Sequence, residues 1–118
     1  MAHDDFDVIA YKVLTYVYAC MKDGRDPDLD RAWELAGSPP EVYWKMVLAS
    51  LQKDGLLVVQ DARYDILGEV TFPCRCGITL DGAAYVRDNS AMRKAGKFLG
   101  AAFEKSLAAA VAASQLVR

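Results

Sequence analysis

Cys74 and Cys76 stand one residue apart, a spacing that could begin a metal site. Structural zinc, however, takes four cysteine or histidine ligands. The one histidine, His3, is remote, and Cys20 is a distant third candidate. No metal is therefore expected. On an extended strand the two cysteines share a face, which suits packing. Acid pairs such as Asp26 with Asp28 and Asp28 with Asp30 fall at a helix start, where negative charge is favoured in any case. No glycine-rich phosphate loop and no nucleophile beside a base is present, so neither enzymatic chemistry nor a cofactor is expected.

Binding is the chemistry left, and it concentrates on three surfaces. The first belongs to a helix after Ser38. At 100° per residue, Trp44, Val47, Leu48 and Leu51 fall on one side and belong to the core. The other side presents Val42, Lys45, Met46, Ala49 and Lys53, with Tyr43 and Ser50 beside them. In a helix-turn-helix this side would lie in the major groove of double-stranded DNA, where arginine, lysine, asparagine or glutamine reads base edges. Here two lysines stand among three apolar residues, and Glu41 and Asp54 balance them. That composition equally suits another protein as partner, methionine being adaptable in contacts. A later helix folding back over these residues would also account for them. A hairpin tip adds Arg63 and Tyr64, close to Asp61, Asp65 and Glu69.

The second surface is a basic helix face of Arg87, Arg93, Lys94 and Lys97. It could touch phosphates, match an acidic protein surface, or stand solvated. The third is an alanine-rich terminal helix whose larger residues Leu99, Phe103, Leu107 and Val111 repeat every four positions. Small residues between them permit close helix approach, so this stripe is expected to join two copies in a twofold homodimer. Packing on its own domain is the other use for it.

These surfaces need a scaffold. The 118 residues are 53% hydrophobic and 25% charged, enough apolar material for one core and unlike a disordered chain. The net charge of −2 does not advertise nucleic acid. It is unevenly spread: residues 1–78 hold eight Lys/Arg against thirteen Asp/Glu, or −5, and residues 79–118 hold six against three, or +3. An odd count of three cysteines, no signal-peptide pattern and no apolar run of about 18 residues imply a cytoplasmic protein without a membrane span.

Phe6, Ile9, Val13, Val17 and Cys20 or Met21 mark a first helix over residues 4–22, with Leu14, Tyr16 and Tyr18 widening its stripe. Gly24 and Pro27 end it. A short second helix starts at Asp28 or Pro27, runs through Ala36 and stops at Gly37. Ser38-Pro39-Pro40-Glu41 has the spacing of a capping box, with Pro39 at the first helical position. The third helix runs from there to Asp54, and Gly55 closes it. Leu56 to Gln60 and Val70 to Ile78 form a hairpin, in which Pro73 marks an edge or a bulge. Thr79 ends the returning strand and starts a fourth helix to Asp88. Asn89-Ser90 breaks the chain before a fifth helix over residues 91–113.

Three helices followed by a hairpin make the winged form of the helix-turn-helix. Ile78-Thr79, Gly82, Tyr85-Val86, Asn89-Ser90, Met92, Lys94-Ala95 and Lys97 resemble the closing segment of the YjcQ-like family, small winged-helix proteins of bacteria and prophages. The layout matches over residues 6–99 and the motif over 78–97. The alanine-rich end after Gly100 and the Cys-Arg-Cys segment depart from it. The resemblance implies a winged-helix fold and a phage origin, and carries over no catalytic residue.

The expectation is a mainly α protein with a small β-hairpin, a winged helix-turn-helix with an extended C-terminal helix. Residues 1–90 form the winged domain and 91–118 the alanine-rich helix. Its job is that of a DNA-binding regulator or a non-enzymatic adaptor between proteins.

Overall fold

The computed structural model describes residues 5–60, 63, 64, 66, 67, 70, 71, 75–88, 103 and 105–116. Helix α1 (Phe6–Lys22) is followed by β1 (Arg25–Asp26), α2 (Leu29–Leu35) and α3 (Glu41–Lys53). The wing comprises β2 (Leu57–Gln60), β3 (Arg63–Tyr64), β4 (Val70–Thr71) and β5 (Arg75–Ile78), and leads into α4 (Leu80–Asp88). Helix α5 (residues 105–113) and β6 (Gln115–Leu116) complete the described chain. The protein is thus mainly α with a small hairpin.

The wide apolar stripe of α1 explains its central place. Ile9, Val13, Leu14, Tyr16, Val17 and Cys20 are wholly buried, and α1 touches α2, α3, α4, β1 and β5. Trp44, Val47, Leu48 and Leu51 of α3 face this core, as their spacing predicts. Burying each such side chain stabilises the fold by roughly 1.5–3 kcal/mol relative to exposure.

The turn between α2 and α3 corrects the reading of Ser38. Gly37 has φ +95° and Ser38 φ +54°, both left-handed. The Gly37 N–H donates to the Glu34 carbonyl and the Ser38 N–H to the Trp33 carbonyl, each at 3.0 Å. This is the Schellman end of α2. Ser38 therefore closes the second helix and cannot cap the third, since an N-cap residue needs extended backbone. Helix α3 begins at Glu41 behind Pro40 and has no side-chain cap. Trp33 Nε1 donates to the Pro39 carbonyl at 2.8 Å and fixes the turn instead.

The same motif ends α3, with Gly55 at φ +74°. Gly55 N–H bonds the Gln52 carbonyl and Leu56 N–H the Leu51 carbonyl, at 3.0 and 2.9 Å. The chain passes straight into β2, which pairs antiparallel with β5 from Leu57↔Ile78 to Gln60↔Arg75. Further out, Arg63 pairs with Thr71 and Tyr64 with Val70. Two residues separate these ladders on the outgoing strand and three on the return, a register offset of the kind a bulge produces. Pro73 itself lies outside the described residues.

Thr79 joins the wing to α4, as its position in the sequence predicts. Its Oγ1 donates to the Gly55 carbonyl at 2.5 Å and accepts the Gly82 N–H at 3.0 Å, capping α4. Its N–H reaches the Leu56 carbonyl at 3.3 Å. The end of α3, both ends of the wing and the start of α4 thus meet at one point. Thr79→Val keeps the shape and removes both hydroxyl bonds. It should cost about 1–2 kcal/mol in urea unfolding.

Packing on its own domain, one of the two uses expected of the terminal helix, is seen for its described part. Leu107, Ala110 and Val111 pack against the core, and β6 pairs antiparallel with β1 through Leu116↔Arg25 and Gln115↔Asp26. Residues 105–116 therefore lie on the same body as α1. Residues 89–102, which carry the break at Asn89-Ser90 and the start of the fifth helix, are outside the described residues.

Candidate functional site

The helix-turn-helix geometry turns α3 outward along the face its periodicity predicts. Val42 is 78% and Met46 59% exposed, one turn apart on this face. Lys45, Ala49 and Lys53 are exposed with them, and Ser50 is half-buried. No described part of the C-terminal helix covers Val42 or Met46.

The electrostatics of the face are mild. Lys45 Nζ lies 3.1 Å from Glu41 Oε1 one turn before it, so this cation, beside Val42 and Met46, is matched by its own helix. Tyr43 is half-buried and stacks on Phe6, with ring centroids 6.1 Å apart and planes at 29°. Phe6 is itself 42% exposed. Phe6, Tyr43, Val42 and Met46 thereby make one apolar patch across the starts of α1 and α3. Contiguous apolar surface of this kind marks interaction sites more than scattered single residues do.

The wing tip is a turn at Ile66 and Leu67, as the turn residues around them predict. Ile66 and Leu67 stand almost wholly in solvent. Sequence reasoning passed over them because they sit between Asp65 and Gly68, where a turn is the stronger signal. Arg63 and Tyr64 occupy β3 and pair with Thr71 and Val70.

The basic face is described at Arg87 alone. Its guanidinium makes a two-point bond to Asp88, Nε to Oδ1 at 3.1 Å and Nη2 to Oδ2 at 3.3 Å. Arg93, Lys94 and Lys97 lie outside the described residues, as does Leu99. Of the expected dimer stripe, Leu107 and Val111 are half-buried against their own core. Phe103 faces Lys12, whose Nζ is 5.9 Å from the ring centre. Among the described residues no three His, Cys, Asp or Glu side chains are grouped to hold a metal ion. None of the described helices is long and apolar enough to cross a membrane.

A buried polar cluster went unread in the sequence. The Asp28 N–H donates to the Tyr16 hydroxyl at 2.9 Å. Tyr16 and Ser114 hydroxyls bond at 2.6 Å, and Ser114 Oγ donates to the Ala110 carbonyl at 2.8 Å. With the Ser114 proton so used, Tyr16 is the donor of the pair. Cys20 Sγ donates to Ser114 Oγ at 3.6 Å. Every member is satisfied, as a buried network requires.

Burial pushes the Tyr16 phenol up to about 12 and raises the Cys20 thiol. Both groups hold their proton longer folded than unfolded. Tyr16's contribution is complete below pH 10 and is lost as pH rises toward 12, by about 1.4 kcal/mol per unit. Burial lowers the Lys12 ammonium, which acts in the opposite sense just below its ordinary value. Tyr16→Phe should therefore flatten the alkaline fall in urea midpoint between pH 10 and 12, while costing about 1–2 kcal/mol at neutral pH.

A family model described as YjcQ protein matches residues 11–102 of the chain. No curated protein and no solved structure matches the chain.

Proposed function

Because the chain belongs to the YjcQ family, and because its α3 turns an apolar face to solvent, we propose that it is a winged-helix interaction module. In this reading it is a cytoplasmic, non-enzymatic adaptor that docks a partner protein on Phe6, Val42, Tyr43 and Met46. The observation that carries it is the exposure of Val42 and Met46, 78% and 59%, beside a lysine already matched by Glu41. Surfaces of this make-up gain affinity by removing apolar area from water around a few anchors. The wing-tip pair Ile66 and Leu67 adds a second apolar outcrop of the same character.

A second reading, a DNA-binding regulator of phage origin, is favoured by the position of α3 in the helix-turn-helix and by Lys45, Ser50 and Lys53 in one outward strip. The two differ in salt dependence, because phosphate contacts release counterions and strengthen as salt falls. Fluorescence anisotropy with random duplex DNA should show no saturable binding even at about 50 mM salt. Saturable binding with a steep salt slope would overturn the adaptor reading and assign α3 to duplex DNA. Leu107 and Val111 are engaged within the chain, so neither reading relies on a homodimer through α5.

A further inference from the structure

Among the described residues, every buried apolar side chain of the central cluster lies between Ile9 and Cys76. Helix α5 adds Leu107, Ala110 and Val111, and each remains half-buried. An open groove of about 500 Å³, lined by Ala19, Lys22, Arg25, Leu107 and Val111 among others, runs along its seam with α1. The buried apolar cluster is thus drawn from residues 9–76, and α5 packs against it as a half-buried cover.

Polar ties hold the segment at its far end. Ser114 is 4% exposed and joins Tyr16 and Cys20. Arg25 Nη1 donates to the carbonyls of Ala112 and Ser114 at 3.3 and 2.8 Å, completing acceptors that a helix end leaves open. The β1–β6 ladder adds two residue pairs. At the near end, Phe103 stands over the Lys12 ammonium.

Lys12, Tyr16 and Cys20 recur every four residues and share one face of α1. They are 8%, 0% and 0% exposed. Lys12 is the unusual member of this stripe, since a lysine is almost never fully buried, whereas cysteine commonly is. Here each has a contact in residues 103–114.

We propose that Phe103 and residues 105–116 form a releasable strap over the Lys12–Tyr16–Cys20 stripe of α1. Ser114 and Arg25 are its latch, and it opens as a unit while the helices and wing beneath stay folded. The strap covers an ammonium, a phenol and a thiol in one line and returns them to solvent on release. It goes beyond the docking face of α3 proposed above.

Cys20 supplies the reporter. The full chain is treated with N-ethylmaleimide below the urea transition, with modification resolved by mass spectrometry so that Cys20 is read apart from Cys74 and Cys76. Trp33 and Trp44 fluorescence follows global unfolding. Opening of a local unit exposes little surface and responds weakly to urea, whereas global unfolding responds with the full slope. The expected result is a shallow urea dependence of Cys20 modification and a rate about tenfold higher in Ser114→Ala, the loss of roughly one buried hydrogen bond. Val47→Ala weakens the core equally in the closed and strap-open states, so it should leave the Cys20 rate unchanged while lowering the tryptophan midpoint. The strap is overturned if Cys20 modification follows the full urea slope, if Val47→Ala accelerates it, or if Ser114→Ala leaves it unaltered.

Discussion

A Gly82→Ala protein is expected to lose about 3 kcal/mol of stability, a fall in Tm of roughly 10 °C or more. The sign is the informative part. Gly82 lies within α4, and at an open helical position alanine would gain about 1 kcal/mol over glycine. Here a Cβ would be driven into the Leu56 carbonyl oxygen and would come within 2.7 Å of Ile78 Cγ1. The carbonyl is backbone, it follows the Schellman end of α3, and it already accepts the Thr79 N–H. It cannot rotate away as a side chain would. Relief requires α4 to move off the α3–wing junction, which disturbs the Thr79 cap and the Leu57↔Ile78 pair of the β2–β5 ladder together. Gly55→Ala is the comparison. Gly55 has φ +74° and nothing within 4 Å of an added Cβ, so only the left-handed backbone opposes it, at about 1–2 kcal/mol. Urea unfolding of the two variants should rank Gly82→Ala well below Gly55→Ala. Equal stability, or a gain at Gly82, would show that α4 is not seated as described.

That junction was legible in the sequence because each of its parts carries a local signal. Gly55 follows an amphipathic helix, Leu57 begins an apolar strand, and Thr79 stands between strand and helix as a capping residue. The core faces of α1 and α3 were legible for the same reason, through periodicity maintained over more than three turns. Ser38 misled because Ser-x-x-Glu is identical whether the serine caps the next helix or closes the last one. Only the left-handed backbone distinguishes the two, and serine seldom adopts it. The pairing of Arg25–Asp26 with Gln115–Leu116 had no signal at all. A two-residue ladder has no period, and its partners are far apart in sequence. Ser114 was hidden likewise: a serine after a run of alanines reads as a fraying end, and only the fold brings it to Tyr16. The outward face of α3 was legible residue by residue. What it binds was not, since lysines alternating with apolar residues suit two kinds of partner.

The charge-reversal pair Lys45→Glu with Lys53→Glu and the apolar-to-acidic pair Val42→Glu with Met46→Glu separate those partners by which one disables the protein. All four side chains are exposed, so each double variant should keep the fold and its urea midpoint within about 1 kcal/mol. Under the adaptor reading, Val42 and Met46 are anchors whose replacement leaves carboxylates facing an apolar counter-surface. Anchor losses of about 2 kcal/mol each correspond to roughly 30-fold per residue, and the pair to a loss of about three orders of magnitude in affinity. The lysine pair should change affinity little, because Lys45 is already matched by Glu41 and exposed charges at a rim mainly affect association rate. Under the DNA reading the order reverses, since two lost cations remove phosphate contacts whereas Val42 and Met46 can be spared. A photoreactive residue at Ala49, exposed on the same face, supplies the measurement in cells. Protein adducts lost in the Val42/Met46 variant and retained in the lysine variant are the expected outcome. Nucleic-acid adducts lost in the lysine variant would transfer the face to DNA, and adducts indifferent to both variants would remove α3 from the binding surface.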